Sequence, residues 1–247
     1  MKNEHRQVVT SRAWEDIYAQ YEPGVSPGIE YPTDTLVKYV SNLRKDDNSV
    51  SAYFDDEGKE LSIKGNYTGN ALEFGFGSVA NLKMVREKGF SCYGLEVSQE
   101  TVSRGSDVLL KENISDIKLQ IWEPWKLPFK DRFFKLVYGL GCIYYNLELE
   151  KVIAEIHRVM DKDATFLFSF FSDKHGYMEK IDHVSGLIYR WSDDHFNPRL
   201  RGMYLRFPQS KLEVENLFDA FREVDVFTWE TDQLPCFQSF WFVRGKK

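Results

Sequence analysis

The stretch Leu72-Glu73-Phe74-Gly75-Phe76-Gly77-Ser78-Val79-Ala80 decides the fold. It reads as a strand end, a tight turn and a helix start. The two glycines permit close backbone approach to a ligand, and the helix N-terminus behind them offers free N–H donors. Outward from this turn the chain alternates apolar strand candidates with amphipathic helices. The strands are Ala71 to Phe74, Ser91 to Val97, Ile117 to Trp122, Phe134 to Tyr138 and Thr165 to Phe170. Between them run helical stripes of Val79, Leu82 and Val85, then Val102, Leu109 and Leu110, and later Leu149, Val152, Ile153, Ile156 and Val159. Gly89 stands where the first of these helices needs a left-handed terminator. Such alternation predicts an α/β fold with right-handed crossovers and a parallel sheet covered by helices on both faces.

The flanks read differently. Residues 1–45 predict a helical cap: Ser11 is the candidate N-cap of one helix carrying Trp14, Ile17 and Tyr18. A second helix starts near Thr33 and buries Leu36, Val40 and Leu43. Residues 46–70 predict a surface hairpin or insertion, with strand-like pieces at Val50 to Phe54 and Glu60 to Ile63. The core spans 71–171, and 172–207 is an irregular insertion on the substrate side, all within one domain, 1–247. In 208–247 Ser210 and Glu213 make a capping-box pattern ahead of Val214, Leu217, Phe218 and Phe221. The link between Glu223–Trp229 and Ser239–Val243 is too short for a helical crossover, so this last pair is antiparallel.

Of 247 residues, 43% are hydrophobic and 28% charged, enough for a sizeable core and a charged surface. Acidic residues outnumber basic ones 38 to 32, for a net charge of -6, which argues against nucleic acid as the partner. Cys92, Cys142 and Cys236 form no CxxC pair, a usage that fits a reduced, cytoplasmic setting. No apolar run is long enough to span a membrane. The aromatic content, 15% with 19 Phe, 13 Tyr and 6 Trp, thickens the core or lines a pocket.

Gly75, Gly77 and Ala80, with Glu96 nineteen residues past Gly77, satisfy a dinucleotide-binding turn, so an NAD-dependent oxidoreductase is one reading. Charge disfavours it. Glu73 places a carboxylate at the strand end, where a pyrophosphate is repelled and an ammonium or sulfonium-bearing amino acid is welcomed. Glu96 is placed to accept both hydroxyls of a ribose, and Glu123 in Trp122-Glu123-Pro124-Trp125 to take an adenine amine.

These residues, with Asp131-x-Phe133-Phe134-Lys135-Leu136-Val137-Tyr138 and the helix Ile153 to Met160, resemble class I S-adenosylmethionine-dependent methyltransferases. The resemblance covers Ala71 to Phe171 and returns in the terminal strand pair. It implies a Rossmann-like sheet of seven strands, mostly parallel, with the last strand antiparallel. Val79 stands where that family usually has a third glycine. The resemblance implies S-adenosylmethionine as cofactor, S-adenosylhomocysteine as product and no metal. Its cofactor residues map onto Glu73, Gly75, Phe76, Gly77, Glu96 and Val97, then Glu123, Pro124, Trp125 and Gly139.

Methyl transfer is an in-line displacement that needs a positioned nucleophile and, for a hydroxyl, a base. His183 and His195, in the 172–207 insertion, are candidate bases or merely structural histidines. Tyr144, Tyr145 and Asn146 follow the fourth strand, where acceptors approach, and either orient the acceptor or pack a helix entry. Arg190, Arg199 and Arg201 either form an anion pocket or pair with Asp193 and Asp194 in a mixed-charge lid. The N-terminal segments Trp14-Glu15-x-Ile17-Tyr18 and Tyr31-Pro32-Thr33 resemble methyltransferases encoded with bacterial surface-polysaccharide enzymes. That likeness makes Tyr18 and Tyr31 closers of the cofactor pocket. It favours a small polar acceptor: a sugar, phosphate or phosphoramidate capsule precursor methylated on oxygen. A non-catalytic methyltransferase-like subunit is the remaining alternative, and the chain is expected as a monomer or homodimer. By this reading Phe166, Phe168, Phe170, Phe240 and Phe242 pack the core, whereas Trp14, Tyr18, Tyr31, Trp125, Tyr144, Tyr145 and Trp191 surround the ligands.

Overall fold

The computed structural model describes residues 3–20, 33–42, 68–122, 126–232 and 236–247. Parallel strands buried on both faces read as mostly apolar runs, and the central strands here do, whereas the edge strand Lys118–Ile121 is half-buried and mixed. β1 (Asn70–Phe74), β2 (Ser91–Glu96), β3 (Lys118–Ile121), β4 (Phe134–Gly139) and β5 (Met160–Phe171) run parallel. With β9 (Arg222–Thr231) and β10 (Gln238–Lys246) they form one seven-stranded sheet in the order β3-β2-β1-β4-β5-β10-β9. β10 is antiparallel to both neighbours, as the short β9–β10 link demands.

The crossovers are α3 (Ala80–Glu87), α4 (Gln99–Lys111) and α5 (Leu149–Val159). Ser98 caps α4 by accepting from the Thr101 N–H at 3.2 Å. Gly89 ends α3 at φ +102°, as its left-handed role requires. Within α4 Val102 and Leu109 are buried, but Leu110 is 76% exposed. Its position one residue from Leu109 turns it about 100° off the buried stripe. α6 (Lys211–Leu217) starts at Ser210, whose hydroxyl accepts from the Glu213 N–H; the Glu213 carboxylate reaches back to the N–H of Gln209. Phe166, Phe218 and Phe221 pack together under it, Phe166 stacking on Phe218 at 4.9 Å.

Two elements differ from the sequence reading. α1 covers Asn3–Ala19, starting eight residues before Ser11. Its early turns bury Gln7 and Thr10, polar residues whose partners lie far along the chain, so no apolar period announced them. The 172–207 segment is not irregular: β6 (Ile181–Ser185), β7 (Ile188–Trp191) and β8 (Tyr204–Arg206) make a second, antiparallel sheet. α2 (Asp34–Asn42) forms near the expected start, with Leu36 and Val40 fully buried. Leu43 and the strand-like pieces Val50 to Phe54 and Glu60 to Ile63 lie outside the described residues. Among the described residues no helix is long and apolar enough to cross a membrane.

Candidate active site

The strand order reverses between β1 and β4, the place where open α/β sheets leave a crevice beyond the strand ends. A cavity of about 430 Å³ occupies it. Its floor is the loop after β1, the end of β2, Trp122 and the loop after β4.

The glycine turn is shaped by left-handed backbone. Gly75 has φ +59° and Gly77 φ +52°, conformations costly for any residue with a Cβ. At Gly75 a Cβ would sit 2.6 Å from the Cys142 Cβ, and at Gly77 one would sit 3.2 Å from the Tyr18 hydroxyl. Behind the turn Glu73 is only 2% exposed. Its carboxylate accepts from Asn81 Nδ2 at 2.8 Å and from the Tyr138 hydroxyl at 3.3 Å. Burial pushes its pKa up to about 8 against the lowering effect of those donors, with the nearby Glu96 charge adding to the rise. Glu96, 5% exposed at the end of β2, accepts from the Val97 N–H at 2.7 Å and the Gly77 N–H at 3.3 Å. Burial raises it to about 7. Both acids thus stand at the cavity wall with few partners, conditions under which a cationic or hydroxyl-bearing ligand is favoured.

α1 roofs the cavity. Gln7 is the fastening: its Nε2 donates to the Tyr145 carbonyl at 3.1 Å and its Oε1 accepts from the Leu147 N–H at 2.8 Å. Thr10 Oγ1 accepts from the Tyr204 N–H at 3.0 Å. Further along, Trp14 stacks against Tyr18 at 5.8 Å and meets Tyr145 edge-on at 5.1 Å. Trp14 and Tyr18 both line the cavity.

On the side away from β2, Tyr145, Asn146, Ser169 and Gln238 reach the lining. Ser169 Oγ accepts from the Gly141 N–H at 2.8 Å and fixes the loop after β4. Gln238 is held by a histidine that the sequence did not single out. His175 Nδ1 accepts from the Tyr177 N–H at 3.0 Å, so Nε2 carries the proton and donates to Gln238 Oε1 at 3.0 Å. Burial pushes the His175 pKa down to about 4, which keeps the ring neutral.

Of the residues expected here, Glu73, Gly75, Phe76, Gly77, Glu96, Val97, Tyr18, Tyr145 and Asn146 do line the cavity. Others do not. His183 lies on exposed β6, its ring bonded to the Gly186 carbonyl at 3.0 Å. His195 is buried among Trp191, Phe196 and Tyr177, its Nδ1 taken by the Asn197 N–H. Tyr144 packs between Tyr145 and Phe171, in the core, as does the fully buried Trp191. Arg190 pairs with Asp193 at 2.5 Å, and Arg201 donates to the His195 carbonyl at 2.7 Å. Arg199 is exposed, and none of these three arginines lines the cavity. Arg190 is thus engaged in a local ion pair and Arg201 in a bond to a backbone carbonyl, contacts within the segment itself rather than toward the cavity. Gly139 supports the turn from beneath: a Cβ there would press on Phe74 Cβ at 3.0 Å. Phe240 and Phe242, expected only as core packing, pack against the core and also line the cavity. Glu123, Pro124, Trp125 and Tyr31 lie outside the described residues.

The donor set fits S-adenosylmethionine. Glu96 beside the Gly77 N–H suits a ribose diol, and Glu73 suits an ammonium. The glycine turn admits the ligand where side chains would block it, and the buried Trp122 Nε1 is a donor without a protein partner. Among the described residues no group of three or more His, Cys, Asp and Glu could hold a metal ion.

Comparison with known proteins bears on the same residues. The family described as "Methyltransferase domain" matches residues 72–168. A SAM-dependent methyltransferase from Aquifex aeolicus is 15% identical, with TM-score 0.51, covering 100% of this chain and 98% of its own. A structure concerned with conversion of a disulfide bond into a thioacetal group during echinomycin biosynthesis is 15% identical, with TM-score 0.61 over 96% of this chain and 92% of its own. Phosphoethanolamine N-methyltransferase 2 of Haemonchus contortus, in complex with S-adenosyl-L-methionine, is 13% identical, with TM-score 0.54 over 73% of this chain and 49% of its own. These likenesses carry the fold. The domain match at residues 72–168, on this fold and around this cavity, marks that span as a methyltransferase domain and supports S-adenosylmethionine-dependent methyl transfer.

Proposed function

We propose that the protein methylates a hydroxyl oxygen on a small, uncharged molecule. The observation carrying this reading is the cavity wall: among the described residues its charged side chains are Glu73 and Glu96, and no Lys, Arg or His joins them. Among the described lining residues an anionic acceptor would find no Lys, Arg or His to pair with, which favours a neutral acceptor over the anionic precursors suggested by the arginines. S-adenosylmethionine would supply, when bound, a sulfonium-borne methyl group open to in-line attack by the acceptor oxygen, the carbon–oxygen bond forming as the carbon–sulfur bond breaks and the hydroxyl proton leaving to solvent.

The residues of the chain act by placement. Glu96 and the glycine turn set the ribose; Glu73, held by Asn81 and Tyr138, sets the amino-acid end. α1 covers one side of the cavity, and Tyr145 and Asn146 border the acceptor space. With no histidine among the described lining residues, proximity and orientation carry the rate. The test is calorimetry with S-adenosylhomocysteine and with NADH, followed by conversion of S-adenosylmethionine in the presence of neutral and phosphorylated acceptors. Binding of S-adenosylhomocysteine alone, with turnover on neutral hydroxyls, is the expected result. Binding of NADH instead, or turnover on phosphorylated acceptors only, would refute it.

A further inference from the structure

The hairpin β9–β10 carries a feature that cofactor binding does not use. Gln238, Phe240 and Phe242 alternate along β10 and therefore share one face. Cross-strand register puts Trp229 opposite Phe240, and Ser169 of β5 opposite Phe242, on the same face. All five line the cavity. Trp229 and Phe240 approach at 6.1 Å, and Trp229 is 37% exposed, an indole left open where the cavity meets solvent. At the end of this wall the Gln238 amide is held at both ends, its Oε1 accepting from His175 Nε2–H at 3.0 Å and its Nε2 donating to Cys236 Sγ at 2.9 Å, which leaves one amide proton for a ligand.

We propose that this wall is the acceptor subsite and that it selects an aromatic hydroxyl compound, a phenol or fused-ring analogue. This rests on the methyltransferase reading above and narrows its substrate class. A flat ring gains most from Trp229 and Phe240, whose faces offer dispersion and edge-to-face contacts. A hexose would leave most of its hydroxyls facing apolar carbon, unpaired at a cost. An anion would meet no cation along the described lining. Gln238 supplies directional polarity at the end of the wall, and His175 is a positioning residue that fixes which way the amide points.

The test titrates 2-naphthol into the protein saturated with S-adenosylhomocysteine, by calorimetry, with glucose 6-phosphate as competitor. Saturable binding of 2-naphthol is expected, undisturbed by glucose 6-phosphate. Trp229→Ala and Gln238→Leu are each expected to weaken it by tenfold or more while S-adenosylhomocysteine affinity stays within twofold. His175→Phe keeps the ring packing and removes the Nε2 proton. It is expected to weaken 2-naphthol as much as Gln238→Leu does, and the double variant no further, since both act through one amide. A merely structural histidine would give additive losses, which would remove His175 from the proposal. Absence of 2-naphthol binding to the loaded protein, competition by glucose 6-phosphate, or full binding by Trp229→Ala would overturn the subsite. Failure of the wild-type protein to bind S-adenosylhomocysteine would instead overturn the methyltransferase reading beneath it.

Discussion

Asn81 and Glu73 are joined at 2.8 Å across the glycine turn, the amide of the first turn of α3 donating to the carboxylate at the end of β1. The other end of the same amide accepts the Thr33 N–H at 2.9 Å. One side chain therefore ties the buried acid, the turn and the entrance to α2 into a single frame. The positions of all three matter to ligand binding, and four outcomes follow from the geometry around them.

Glu96→Ala is expected to weaken S-adenosylhomocysteine binding by about 1.5 to 3 kcal/mol, the range for hydrogen bonds to a charged group. Only the ionised carboxylate accepts from both ribose hydroxyls, and burial sets its pKa at about 7. Wild-type affinity should therefore fall as pH drops through 7, and Glu96→Gln should bind weakly with a flatter profile. Calorimetry at pH 6 and 8 distinguishes these. A wild-type affinity higher at pH 6 than at pH 8 would contradict the assignment.

Glu73 makes stability without ligand depend on pH in the opposite sense to most carboxylates. Burial raises its folded pKa from 4.5 to about 8, so the folded state holds a proton that the unfolded chain has lost. The associated stability is complete below the unfolded value and disappears as pH rises through 8. Thermal unfolding without cofactor should show Tm falling between about pH 5 and 8 and levelling above that. In Glu73→Gln, which stays neutral, that fall should shrink.

Gly75→Ala combines two costs. The left-handed backbone at φ +59° costs about 1 to 2 kcal/mol for a residue with a Cβ, and the new Cβ would lie 2.6 Å from that of Cys142. Adding Cys142→Gly removes the clash and leaves the backbone cost. Denaturant titration should show a large loss for the single variant and partial recovery in the double variant. Equal stability of the two would mean the clash is relieved elsewhere.

Much of this was legible in the sequence, because its signals are local. Parallel strands buried on both faces read as apolar runs, and Glu73, Gly75, Gly77 and Glu96 fall within 24 residues of one another. What stayed hidden depends on distant partners. Gln7 and Thr10 are polar residues buried by partners at Tyr145, Leu147 and Tyr204, and no periodicity marks such positions. β6 alternates poorly, with two of its five residues half-buried and none fully, so it looked like loop. Phe240 and Phe242 have the same period-two pattern whether a helix or a cavity lies beyond them. For the arginines the sequence left an anion pocket and pairing with Asp193 and Asp194 both open; the turns between β7 and β8 bring Asp193 to Arg190 and the His195 carbonyl to Arg201.

Gln7→Ala tests the roof. It removes two hydrogen bonds of about 0.5 to 1.5 kcal/mol each and leaves the Tyr145 carbonyl and Leu147 N–H without their partner. Hydrogen exchange at the Leu147 amide should accelerate, and S-adenosylhomocysteine should dissociate faster. Unchanged exchange at Leu147 would show that α1 is held chiefly by its other contacts.

The pair of carboxylates in the cavity wall also bears on the end of each cycle. Attraction to a sulfonium inside a poorly solvated cleft is lost once that sulfur becomes a neutral thioether. In the proposed binding mode Glu73 and Glu96 would discriminate between fresh and spent cofactor by one unit of charge. The arrangement that draws the donor in gives its by-product less reason to stay, a bias toward exchange that needs no moving part.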